Sequence, residues 1–179
     1  MRLRELTGVD LIIWLAGDDG APVVRDGVGL PDIAGLEAVV ERDGHELRFR
    51  PGGQLRDRRG ASWAVRGEPE ALAGDMTRGR FESEQYPDAL TRLWSALTSP
   101  HAGDVLISAA EGYECVDWGG ISHVGGGSHG SLGRGDSLSP VIFCGCGPDQ
   151  PAKNPQWALR DLAPVILEHF GVTGSRPQG

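Results

Sequence analysis

Between residues 8 and 50, apolar positions alternate with polar ones in the manner of strands. Leu36, Ala38 and Val40 are separated by polar or opposite-facing neighbours, as are Leu47 and Phe49, which predicts one wet and one dry face. Leu11 to Ala16 is a continuous apolar run, read as a buried strand. "VDLIIWLAGDDGAPVVRDG" places apolar runs on both sides of Asp19-Gly20, and "GLEAVVERDGHELRFRPGG" repeats the device around Asp43-Gly44. Asp-Gly between alternating segments signals a β-hairpin, so residues 8–50 are expected to form a small antiparallel meander. Residues 51–85 are polar and rich in Arg, Gly and Glu, predicting a loop with a short strand near Trp63 and a helical turn near Glu70.

Further on the period changes. In "YPDALTRLWSALTSP", Leu90, Leu93, Trp94 and Leu97 form one helical stripe, Pro87 and Asp88 suit its start, and Ser99-Pro100 stops it. "GDVLISAAEG" predicts a buried strand, a Gly-rich segment fills 117–137, and Pro140 to Cys146 predicts another strand. Leu162, Val165, Ile166, His169 and Phe170 then lie at helical spacing, with Pro164 in the first turn and Gly171 as the stop. The expected class is α/β in a single domain over residues 1–179, with the meander at 8–50 and an α/β closing segment at 86–172.

Composition narrows the function. The net charge of −8 argues against nucleic acid and anionic membrane surfaces as partners. No stretch approaches the ~20 apolar residues of a membrane span. Three cysteines, Cys115, Cys144 and Cys146, make no disulfide framework and suit a reducing, cytoplasmic setting.

The chemical candidates gather around "GGGSHGSLGRG". His129 sits among glycines that let backbone crowd around an ion, and imidazole is a common metal ligand; it reads equally as a loop histidine bonded locally. His123, six residues earlier, pairs with it only across a glycine-broken stretch. Asp117 and Asp136 read as turn-capping carboxylates or as orienters of a histidine. Ser128 and Ser131 lack the frame of a serine nucleophile, and no phosphate-binding P-loop pattern occurs. Cys144 and Cys146 read as a soft-metal pair or as small buried residues at a strand end.

Residues 86–172 resemble a known arrangement. "GGSHGSL", "DSLSPVIFCGCG" and "RDLAPVILEHFGV" look like the C-terminal segment of the alkaline phosphatase superfamily, in its type I phosphodiesterase/nucleotide pyrophosphatase branch. The resemblance implies a sheet with flanking helices of that kind, and a meander inserted near the N-terminus. It implies that His129, in a G-x-H-G loop, is the last histidine ligand of a two-zinc centre acting on a small phosphate ester. Asp161, Ala163 and Pro164 match the start of the closing helix. The family's metal-binding first strand, nucleophile motif and Asp-His-Gly ligand pair are not found in this sequence. The expectation is therefore a C-terminal part, from a truncated or split gene product, that supplies His129, carries no catalytic residue and is inactive alone. Its partner would be the missing N-terminal half. The alternative is a non-catalytic interaction domain that self-associates.

Overall fold

The computed structural model describes residues 3–25, 27, 32–115, 129–145, 147–148 and 156–172. Strand β1 (Val9–Ala16) is an interior strand of a mixed α/β unit, one place in from the sheet edge. Along one edge it pairs antiparallel with β2 (Glu37–Arg42), Ile12 opposite Glu41 and Ala16 opposite Glu37. Along the other it pairs antiparallel with β7 (Val105–Ala109), Trp14 opposite Val105. Both of its hydrogen-bonding edges are thus filled. The return strand expected after Asp19-Gly20 consequently does not form: against β1, residues 21–25 make an isolated bridge, Ala16 to Pro22, and a bond from Val23 N–H to the Leu15 carbonyl, 2.8 Å.

The Asp43-Gly44 hairpin does form. Asp43 (φ 53°) and Gly44 (φ 85°) both take the positive φ that a type I′ turn demands. They join β2 to β3 (His45–Arg56), which pairs onward with β4 (Ser62–Gly67). Inside β3, "PGG" makes a bulge: Pro51 and Leu55 both oppose Trp63. A Cβ on Gly53 would lie 2.4 Å from the Ala64 nitrogen, so only glycine passes there.

Residues 51–85 carry more strand than their polarity suggests. After a 3-10 turn at Pro69–Leu72 come β5 (Gly74–Thr77) and β6 (Arg80–Ser83), joined by a turn at Arg78 (φ 50°) and Gly79 (φ 75°). Among the described residues the sheet has seven strands, in the order β5-β6-β3-β2-β1-β7, with β4 also on β3.

Register assigns the two faces. Leu11, Ile13, Leu15, Ala38, Val40, Leu47 and Phe49 point to one side and are buried. Helix α1 (Ala89–Leu97) covers that side with Leu90, Leu93 and Leu97, all buried, each contributing about 1.5–3 kcal/mol. Arg25 closes the far end of α1, its guanidinium donating to the carbonyls of Leu97 and Ser99. Strand β7, expected to be buried, is an edge strand. Leu106 and Ser108 face the core, while Val105 and Ile107 point to the other face and stay 41% and 39% exposed.

One carboxylate organises the β3–β4 turn. Asp57, 6% exposed, accepts at Oδ1 from the backbone N–H groups of Arg59 and Ala61, both 2.9 Å. Its Oδ2 accepts from the Trp63 indole N–H at 2.8 Å and from the Thr91 hydroxyl of α1 at 3.4 Å. Trp63 meets Phe49 edge-on, 5.7 Å between ring centroids.

Backbone contacts divide the chain into Met1–Leu138, described above, and Ser139–Gly179. In the second unit, a 3-10 turn at Leu159–Asp161 leads into helix α3 (Leu162–His169), with Pro164 in its first turn. Gly171 (φ 65°) ends it: its N–H bonds to Glu168 and that of Val172 to Leu167, a Schellman motif. Residues 139–145 do not form the expected strand. Pro140 has no N–H to offer, Gly145 turns at φ 73°, and Ile142 is 86% exposed. Within the described residues of this unit no second strand takes their hydrogen bonds.

Replacing Asp57 by Ala leaves the buried indole and two turn amides without acceptors. An Asp57→Ala variant is expected to lose about 2–4 kcal/mol of stability by urea denaturation. A loss under about 0.5 kcal/mol would show that water takes over those bonds.

Candidate functional site

His129 opens a stretch fastened to the first unit at several points. Leu132, 7% exposed, inserts into the core, and its N–H donates to the Ser108 hydroxyl of β7 at 3.0 Å. Arg134 N–H bonds to the Gln85 carbonyl at 2.8 Å. From α1, the Arg92 guanidinium donates to the carbonyls of Leu132 and Pro87, both 3.1 Å. Burial lowers the pKa of that guanidinium, and the Asp88 charge opposes the shift. The short helix α2 (Arg134–Ser137) then closes the turn, with Ser137 Oγ donating to the carbonyls of Leu132 and Gly133. Three residues upstream of Leu132, His129 is exposed.

His129 lines an open cleft of about 800 Å³ beside β7, with Asp10, Ile107, Glu111, Arg134 and Asp136 on its walls. Asp136 is engaged locally, its Oδ2 accepting from Ser131 N–H at 3.1 Å. Ser131 Oγ accepts from Gly133 N–H at 3.2 Å, a turn-forming bond. Both fit their structural readings. His123, Asp117, Ser128 and Cys146 lie outside the described residues. Cys115, on the cleft wall, and Cys144, in the second unit, are exposed free thiols.

Zinc is held by three or four protein donors. Among the described residues no group of three or more His, Cys, Asp or Glu side chains is placed to hold a metal ion. The described residues therefore place no zinc centre around His129.

The sequence reading passed over one polar constellation at the cleft. Tyr86, buried at the entry to α1, donates its hydroxyl to Asp10 Oδ2 at 2.7 Å. Arg42 lies 5.8 Å over the Tyr86 ring, with Nε 3.7 Å from Asp10 Oδ1. Burial first, then the hydrogen bond to Asp10, holds the Tyr86 phenol well above its ordinary pKa. No spacing could have revealed the pair, since 76 positions separate them.

No family model, curated protein or solved structure matches this chain. Among the described residues no helix is long and apolar enough to cross a membrane.

Two outcomes are expected. Ser108→Ala strips the acceptor from a buried N–H, so amide exchange at Leu132 should quicken by about tenfold or more, at a cost of roughly 1–3 kcal/mol. Unchanged exchange would mean that Leu132 packing alone holds the loop. For Tyr86 the folded state favours the neutral phenol. Its stabilisation is present below the ordinary value of about 10 and is lost as pH rises through the raised one. Absorbance at ~295 nm should therefore show a late tyrosinate component that vanishes in Tyr86→Phe; ionisation of Tyr86 near pH ~10 would refute the buried bond.

Proposed function

We propose that this chain contributes one metal-ligating imidazole, that of His129, to a phosphoric ester hydrolase of the alkaline phosphatase type, and that it does not turn over substrate alone. One observation carries the reading: the His129 ring is exposed on the wall of an open cleft, directly upstream of a segment fastened to β7 and α1. A ring packed among hydrocarbon side chains would have removed it. Arg134 on the same wall offers a positive group for a phosphoryl oxygen. The remaining metal donors would come from the N-terminal half expected as its partner. The exposed thiols of Cys115 and Cys144 suit a reducing, cytoplasmic setting.

The test pairs an activity assay with a metal titration of the full chain. Hydrolysis of an aryl phosphodiester with added zinc is expected to stay at background. Robust turnover abolished by His129→Ala would overturn the claim that the chain is inactive alone. Co²⁺, as a paramagnetic stand-in, should broaden the His129 imidazole resonances at lower concentration than those of His45, His101 or His169. Broadening that reaches His129 no earlier than those three would remove it as a ligand.

A further inference from the structure

Strand β7 ends the strand order, and among the described residues no strand pairs with its outer edge. Its neighbours fix the direction of its backbone groups. Ala110 N–H bonds to the Gly8 carbonyl, and on the same side of β1 Val23 N–H bonds to the Leu15 carbonyl, both at 2.8 Å. Groups alternate along a strand, so Leu106 and Ser108 bond inward to their partners Ile13 and Leu11. Val105, Ile107 and Ala109 turn their N–H and C=O groups outward, and no described residue bonds to them.

The side chains leave this edge open as well. β7 reads Val-Leu-Ile-Ser-Ala, with neither a charge nor a proline, the devices that ordinarily guard an edge. β5, at the other end of the strand order, carries Asp75. On the face away from the core, Val105 and Ile107 stand exposed in one row with Trp14 and Ile12 of β1. The open cleft bordered by Ile107 and Ala109 keeps the edge within reach.

We propose that two copies of this chain join their β7 strands antiparallel, about a two-fold axis at Ile107, into one continuous sheet. The bonding phase selects the register. With Ile107 opposite the second copy's Ile107 and Val105 opposite its Ala109, every outward residue meets an outward residue, and each such pair exchanges two N–H···O bonds. A one-residue slip would set outward groups against groups already spent on β1. The same register packs Ile107 on Ile107 and Val105 on Ala109, which covers the two exposed side chains and lengthens the apolar row. A second copy is the favoured occupant because this edge is its own complement in phase, in side-chain match and in its lack of charge. The pairing is short, so it belongs with small, transient interfaces and forms at high protein concentration. It does not depend on the hydrolase reading of His129.

Sedimentation velocity of the full chain should show a monomer–dimer equilibrium at about 100–500 µM protein. Both copies carry −8, so raising NaCl from ~20 to ~500 mM should strengthen the dimer. In amide exchange, Ile107 should slow about tenfold or more as concentration rises through that range, while Leu106 and Ser108, bonded to β1, stay unchanged. Ile107→Lys and Ile107→Glu each set like charges opposite one another and should give monomers. Their equimolar mixture should form the mixed dimer, a rescue that also shows both variants to be folded. Wild-type protein that stays monomeric at ~500 µM overturns the proposal. So does an Ile107 amide equally protected at every concentration, since the edge would then be covered from within the chain. Association that weakens with salt, survives in either single variant, or fails to return on mixing overturns it equally.

Discussion

Strand β1 is paired along both edges, and the rest of the first unit is arranged around that constraint. β2 and β7 take its hydrogen bonds, α1 covers its apolar face, and no edge remains for residues 21–25. The same arrangement sets the candidate site. Because β7 is held in register against β1, Ser108 turns inward and presents its hydroxyl to Leu132. The position of His129 thus derives, through the Ser108 hydroxyl and a buried leucine, from β1.

The elements legible in the sequence were those whose signals are local. The α1 stripe is a matter of spacing within nine residues, and the Asp43-Gly44 turn is a dipeptide with a steric requirement. Arg78-Gly79 makes the same kind of turn without an Asx residue, so β5 and β6 passed as loop. Asp19-Gly20 carried the hairpin signature but not the hairpin, because a turn signal says nothing about whether a strand edge is vacant. The run Pro140 to Cys146 had strand composition alone, and composition cannot supply a neighbour.

At the candidate site, a glycine frame around a histidine was visible, and the exposed ring on an open cleft accords with it. What fastens that loop was not visible. The Ser108–Leu132 bond spans 24 positions and the Tyr86–Asp10 bond 76, and such partners are chosen by sheet register rather than by spacing. Asp57 was hidden for a different reason. In "LRDRRG" it reads as one more surface charge in a polar stretch, and only the bulge that carries Trp63 beneath the turn makes it the buried acceptor of an indole.

The double pairing of β1 bears on how the chain is made. During synthesis β1 emerges before its two partner strands, and β2 soon follows to zip one side. Strand β7, which seals the other side, emerges about ninety residues after β1, across a long loop whose closure is slow. Throughout that interval the apolar Leu11–Ala16 segment offers a bare hydrogen-bonding rim to neighbouring polypeptides, which makes it the stage when this protein most needs a chaperone's shelter.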